Sequence, residues 1–173
     1  MIHRRHLHAA DLVAVHPGLS EAGAAALVEA VRVCLDRRYR SPTQFRLTDR
    51  GRGDDALDLV WDAADDRAHA FWSDPPRTTE WAAEGVAIVA VEAARDLVVV
   101  SRAARGSGLD YYIGQAGDDL ENVIGLEIAG IDRGSLPALL AREREQARGN
   151  PAGLAAIAAV VRFEVPHVMM DDA

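Results

Sequence analysis

Two runs of alternating apolar and polar residues in the second half of the chain predict a β-hairpin with one carboxylate on each strand. In the first run, Leu109, Tyr111 and Ile113 share one face, and Asp110 lies on the other. In the second run, over 124–129, Glu127 alternates with apolar residues in the same way. We therefore expect a hairpin that buries one apolar surface and presents Asp110 and Glu127 together on its open face.

Helical spacing of apolar residues predicts four helices, and three of them follow a residue that can cap a first turn, namely Ser20, Thr79 or Ser135. The predicted helices cover residues 20–40, 65–72, 80–95 and 135–148. The third is apolar almost all round, which is typical of a helix buried in a core. Its polar residues lie mostly along one stripe, which is either its solvent side or, for Glu84, a position directed at the chemistry of the sheet.

The remaining strands are predicted from alternating or β-branched runs. They cover residues 45–48, 57–62, 97–100 and 155–165. The first two form a second hairpin around a glycine-rich turn, and 97–100 is predicted to be a central strand. A short run over 168–170 is expected to add an edge, and the histidine-rich first eight residues are expected to be a solvated terminus.

These elements predict a single α/β domain over residues 1–173, built on a central mixed sheet. Residues 1–78 would supply an N-terminal helix and hairpin. Residues 79–165 would form a core in the order helix, strand, strand, strand, helix, strand.

The charge composition limits the chemistry, because all 19 basic residues are arginine and the net charge is −8. Without lysine, no side-chain amine is available as a Schiff-base former or general base. The acidic balance disfavours extended, nonspecific binding to nucleic acid. A lone cysteine, Cys34, excludes an intramolecular disulfide and a cysteine-based zinc site. No apolar run is long enough for a bilayer and no secretory signal is evident, so we expect a cytoplasmic protein without a membrane partner.

The order of elements from residue 79 onward, with an acid at the start of the second strand and another within the third, resembles the core of the PD-(D/E)xK superfamily, the restriction-endonuclease-like fold. The resemblance covers about half of the chain. It implies that Asp110 and Glu127 bind one or two divalent cations, Mg²⁺ or Mn²⁺, and that Glu84 is a further ligand on the helix. It also places Ala129 where the family has its lysine.

The chemistry of such a site is that of a hard cation with oxygen ligands. Mg²⁺ commonly takes one or two carboxylates and leaves the remaining positions to water and substrate phosphate. It then polarises the phosphoryl group and lowers the pKa of a bound water. Arg102 or Arg105 could bind the phosphate, although a guanidinium is a poor proton acceptor.

Two functions follow from these residues. The first is a non-catalytic or weakly active nuclease-like module that binds a protein partner or a second copy of the chain, as the alanine at position 129 indicates. The alternative is a metal-dependent nuclease or phosphodiesterase with Asp110, Glu127 and Glu84 as catalytic residues. A third interpretation leaves Asp110 and Glu127 as solvated residues on an open sheet face.

Overall fold

The computed structural model describes residues 1–173, which form five helices and eight strands. The helices are α1 (Ala9–Val15), α2 (Glu21–Asp36), α3 (Asp66–Phe71), α4 (Pro75–Arg95) and α5 (Leu136–Arg148). The strands are β1 (Ile2–His6), β2 (Thr43–Asp49), β3 (Gly53–Val60), β4 (Val98–Arg102), β5 (Tyr111–Gly114), β6 (Ile124–Ile131), β7 (Ala156–Arg162) and β8 (His167–Asp172). None of the helices combines the length and hydrophobicity that a membrane crossing requires.

All eight strands form one mixed sheet in the order β1-β3-β2-β8-β7-β6-β5-β4, so the predicted α/β class is confirmed. Strand β5 runs antiparallel to both of its neighbours, β4 and β6, and β7 returns parallel to β6 after α5. The elements after residue 74 therefore follow the predicted order of helix, three strands, helix and strand.

The side chains of β7 show how helices cover both faces of the sheet. Ile157, Ala159 and Val161 belong to the main core, which includes apolar residues of α1, α2 and α4. Ala158 and Val160 alternate with them and pack against the apolar residues of α5 on the opposite face. A strand buried on both faces has the continuous apolar sequence seen here.

Strand β4 was predicted to be central, but it forms one edge of the sheet. The segment before α2 covers this edge, since Gly18 donates its N–H to the carbonyl of Val99 at 2.9 Å and His16 Nδ1 accepts the N–H of Val99 at 3.1 Å. A Cβ at Gly18 would lie 2.3 Å from the carbonyl carbon of Val100, so the close approach requires glycine. The β-branched run reflects burial of β4, not a central position.

Four further predictions were wrong at the ends of the chain and of the helices. The first residues form β1, which pairs in parallel with β3, instead of a solvated terminus. Strand β8 lies between β7 and β2 and is not an edge. Helix α4 begins at Pro75, because proline is tolerated in the first turn, where the missing N–H has no helical acceptor. Helix α2 ends at Asp36 and does not continue to residue 40.

A buried ion pair joins the C-terminal end of α4 to the middle of the sheet. Arg95 donates from Nε and Nη2 to both carboxylate oxygens of Asp49 on β2, at 2.8 and 2.6 Å, and also contacts Asp172 on β8. The side chains of Arg95 and Asp49 are only 3% and 5% exposed. This pair therefore ties α4 to the two neighbouring strands that connect the N-terminal strands to the rest of the sheet.

Replacing Asp49 by alanine should destabilise the fold by about 3–5 kcal/mol, because it leaves a buried guanidinium with one solvent-exposed partner. Urea unfolding followed by circular dichroism measures the change. The control is Asp54→Ala, which removes the partner of Arg46 from an exposed pair and should have little effect. Equal losses in the two variants would contradict the role assigned to the buried pair.

Candidate functional site

Asp110 precedes β5 and continues the pairing of that strand with β6. Its backbone N–H donates to the carbonyl of Leu126 at 2.9 Å. Its carboxylate Oδ2 accepts the backbone N–H of Ile128 at 2.8 Å. The Asp110 side chain thus provides the acceptor for a β6 N–H at a position that β5 does not reach. This bond fixes the Asp110 carboxylate beside the β6 residue that follows Glu127.

Glu127 lies on β6 and faces α5. Its side chain is buried, with 5% of the residue exposed. Oε1 accepts a hydrogen bond from Nε2 of Gln146 on α5, whereas Oε2 is buried without any hydrogen-bond partner. An unsatisfied buried carboxylate oxygen is costly, and native structures contain few of them. The orphaned oxygen therefore requires a physical explanation.

The predicted open sheet face is wrong for this pair, because α5 covers β6 and buries Glu127. The solvated interpretation of Glu127 is thereby excluded. The alternation expected for the first strand also fails at its start, since Leu109 packs against Ala147 of α5 and Ala156 and not with Tyr111 in the main core. The strand begins only at Tyr111, so a period of two does not extend back to Leu109.

Glu84 on α4 is directed at the sheet and not at solvent. Its Oε2 accepts the hydroxyl hydrogen of Tyr111 and lies 3.3 Å from Nη2 of Arg102. The guanidinium of Arg102 also stacks over the rings of Tyr111 and Trp81, at 5.3 and 5.8 Å. Arg105 is exposed in the turn between β4 and β5. Of the two arginines predicted to bind phosphate, only Arg102 therefore contacts the acidic residues.

These groups lie at a pocket of about 430 Å³ between α4 and α5. The pocket is beside the residues of β6 that follow Leu126, the last residue paired with β5. We call it the carboxylate pocket. It is lined by Glu80, Glu84, Asp110, Ile128, Ala129, Gly130, Arg142, Glu143 and Gln146. The structure thus brings Asp110 and Glu84 to one pocket, with Glu127 buried next to it.

Sequence reasoning missed the three α5 residues in this site, Arg142, Glu143 and Gln146. Helix α5 itself was predicted, with Ser135 as its cap, and Ser135 Oγ does accept the N–H of Ala138 at 3.3 Å. However, α5 carries many charged residues, and nothing in its pattern indicates which of them face a pocket. Only the crossing of α5 over β6 selects these three.

Burial and like charges raise the pKa values of both predicted acids. Burial raises the pKa of Asp110 to about 6, against the hydrogen bond from Ile128, and the negative charge of Glu84 adds to the rise. Burial, followed by the charges of Asp110 and Glu143, raises the pKa of Glu127 to about 8. At neutral pH Glu127 is therefore mainly protonated. Its ionisation beside Asp110 is unfavourable unless a cation compensates the added negative charge.

The side-chain oxygens of this site that could ligate a metal belong to carboxylate and amide groups, which are the ligands that a hard divalent cation prefers. No group of three or more His, Cys, Asp or Glu side chains is arranged to hold a metal ion. A cation here would bind Asp110 and Glu127 and complete its coordination with water and ligand oxygens, as Mg²⁺ commonly does. The orphaned Oε2 of Glu127 is the atom that such an ion would satisfy.

This chain matches no family model, no curated protein and no solved structure. The resemblance to the PD-(D/E)xK superfamily therefore stays a prediction, and the geometry of the site carries the functional argument.

The raised pKa of Glu127 predicts a specific pH dependence of stability in the presence of a chelator. In the unfolded chain Glu127 ionises near its usual pKa of 4.5, whereas in the folded protein it stays protonated up to about pH 8. Folding therefore takes up a proton between these values, and the free energy of unfolding should fall as the pH rises through this window. Glu127→Gln removes the ionisation and should remove that part of the slope.

Chemical denaturation of both proteins at a series of pH values measures this difference. Glu121→Gln, in the exposed turn between β5 and β6, is the matched control and should keep the wild-type slope. Parallel curves for wild type and Glu127→Gln would show that Glu127 has no raised pKa in the folded protein.

Proposed function

We propose that this chain is a nuclease-like module that binds Mg²⁺ or Mn²⁺ at Asp110 and Glu127, has little or no hydrolytic activity of its own, and acts with a protein partner or a second copy of itself. The observation that carries the proposal is the buried, unpartnered Oε2 of Glu127 in a site that also holds Asp110. A cation would supply the missing partner and offset the repulsion between the two acids.

The residue at position 129 supports weak or absent catalysis. Ala129 lines the carboxylate pocket and lies two residues after Glu127, on the same side of β6. Its methyl group can neither orient nor activate a water. The charged donors near the pocket are arginines, which remain protonated and cannot accept a proton. The site can therefore bind a cation without having the amine that the related chemistry would use.

A partner contact would fall most readily on the N-terminal helices. Helices α1 and α2 form an apolar groove of about 510 Å³ on the surface. Its walls are Ala9, Ala10, Val13, Ala14, Glu21 and Ala25. Small apolar side chains allow another backbone to approach closely, and the net charge of −8 favours a protein over a nucleic acid as the partner.

A metal-dependent nuclease or phosphodiesterase is the second candidate. It is favoured by carboxylates from α4, α5 and the start of β5, which line a solvent-accessible pocket whose volume could hold a cation and a phosphate group. In this case Asp110 and Glu127 would bind the ion that activates water, and Glu84 would add a further acidic group.

Titration with Mn²⁺ and Mg²⁺ separates these possibilities. For wild type we expect the midpoint of thermal unfolding to rise with cation concentration, because the ion binds only the folded state. Glu127→Gln should lose most of this rise, whereas Glu121→Gln should keep it. Assays with single- and double-stranded DNA and RNA should detect little or no cleavage.

Different outcomes test the metal site and the accessory function. Absence of cation stabilisation in wild type would exclude the metal site. Cation-dependent cleavage that disappears in Glu127→Gln would replace the accessory function with the enzymatic one.

Introducing the missing amine tests why activity is low. Ala129→Lys places an amine on the pocket wall beside Glu127, and we expect it to raise cation-dependent cleavage about tenfold or more over wild type, as an added proton-transfer group can. The comparison uses the same nucleic-acid assays, with Ala129→Met as a control of similar length without charge. If Ala129→Lys folds, binds Mn²⁺ and cleaves no faster than Ala129→Met, the missing amine does not explain the low activity.

A further inference from the structure

A second pocket, of about 320 Å³, lies between α2 and the segment that leads into α3. It shares no lining residue with the carboxylate pocket. Most of its walls are small apolar side chains, those of Ala9, Ala25, Val28, Ala63, Ala64 and Ala68. The remaining lining residues are charged: Glu29, Arg32 and Asp65. We call it the alanine pocket, and its volume lies in the range of small-molecule sites.

Glu29 and Arg32 carry opposite charges one turn apart on α2 but form no ion pair, although this spacing allows one. Each is held by another group. Nη2 of Arg32 donates to the carbonyl of Leu7 at 2.8 Å, and Oε1 of Glu29 accepts the indole N–H of Trp72 at 2.9 Å. The two charges therefore line the same pocket without neutralising each other.

The guanidinium of Arg32 has donors that no group of the chain accepts. Its Nε is buried without a hydrogen-bond partner, and Nη1, which is not buried, forms no hydrogen bond either. A buried donor without an acceptor costs free energy, and native structures contain few of them. Carboxylates match the paired N–H groups of a guanidinium in geometry and in charge. These donors therefore favour a ligand carboxylate at this wall of the pocket.

Glu29 and Asp65 favour a positive group in the same ligand. Oδ1 of Asp65 caps α3 by accepting the N–H of Ala68 at 2.8 Å, and Oε1 of Glu29 is bound to Trp72. The second oxygen of each carboxylate forms no hydrogen bond within the chain. A ligand with a carboxylate alone would approach two negative side chains beside Arg32, whereas a zwitterion complements all three charges.

Hydrogen bonds also hold the walls of the alanine pocket in place. Asp36, at the end of α2, accepts the indole N–H of Trp61 at 2.7 Å and the backbone N–H of Ala64 at 2.6 Å. Ala68 packs with Trp72 against apolar residues of α2. A preformed pocket requires little ordering when its ligand binds.

We infer that the alanine pocket binds a free α-amino acid with an apolar side chain. Arg32 binds the carboxylate of this ligand, Glu29 and Asp65 bind its ammonium group, and the apolar walls surround its side chain. An α-amino acid combines both charges with an aliphatic body in one small molecule. The pocket is separate from the proposed cation site, so each site can be tested without the other.

Calorimetric titration of L-leucine and L-valine into the full chain tests the inference, and wild type should bind at least one of them. Two analogues of leucine each lack one charge: isopentylamine has no carboxylate, and isocaproate has no ammonium group. Each should bind roughly tenfold to a hundredfold more weakly than leucine, the usual effect of losing charge-assisted hydrogen bonds.

Substitutions of matched shape assign the two charges to their side chains. Glu29→Gln keeps an acceptor for the indole of Trp72 and should weaken leucine binding roughly tenfold, but it should not weaken isocaproate binding, because it removes a repelling charge. Arg32→Gln should lose most of the leucine affinity, and Arg32→Lys should retain part of it. Glu21→Gln and Arg67→Gln, outside the lining, are the controls and should bind leucine as wild type does. Circular dichroism confirms that each variant is folded.

If wild type binds neither amino acid at millimolar concentration, the inference falls and the proposed cation site is unaffected. Leucine binding that is unchanged in both Glu29→Gln and Arg32→Gln would place the amino acid elsewhere and overturn the inference too. N-acetyl-L-leucine imitates the C-terminus of a peptide chain. If it binds as tightly as leucine does, the ligand is a chain terminus and not a free amino acid.

Discussion

The packing of α4 between α2 and the sheet is the constraint on which the rest of the structure depends. Two glycines allow it. A Cβ at Gly85 of α4 would lie 2.7 Å from Cγ2 of Val31 on α2, and a Cβ at Gly130 of β6 would lie 2.4 Å from Cβ of Ala83 on α4. With apolar side chains all round, α4 can occupy this position only as a buried helix. The same close approach turns Glu84 towards Tyr111 and sets one wall of the carboxylate pocket.

The carboxyl groups of the site are arranged in a way that costs folding free energy. Asp110 satisfies the N–H of Ile128, but Glu127 is buried with one oxygen unpaired and with Asp110 and Glu143 near enough to raise its pKa. Folded proteins retain such groups mainly at functional sites, where a ligand compensates them. In the proposed site, a divalent cation would compensate Asp110 and the ionised form of Glu127. In the proposed function, Ala129 separates binding from catalysis, because a cation would be held without an amine beside it.

The sequence predicted most of the local structure, although not the start of α4 or the end of α2. Ser20 and Ser135 cap their helices by accepting an N–H three residues on, and both predicted hairpins form. The errors in the sheet arose where long-range pairing decides: β4 is an edge, β8 lies inside the sheet, and residues 2–6 join it as β1. Alternation selected Asp110 and Glu127, although it fails at Leu109. The burial of Glu127 and the positions of Arg142 and Gln146 depend on how α5 crosses β6. No periodicity within α5 contains that information.

The central claim is that Asp110 and Glu127 together hold a divalent cation, and an anomalous difference map from crystals grown with Mn²⁺ tests it most directly. The account predicts one strong peak in contact with a carboxylate oxygen of each residue, with Oε2 of Glu127 as one of the ligands. A map without a peak there, in crystals that contain Mn²⁺ elsewhere, would contradict it, as would an ion bound without Glu127.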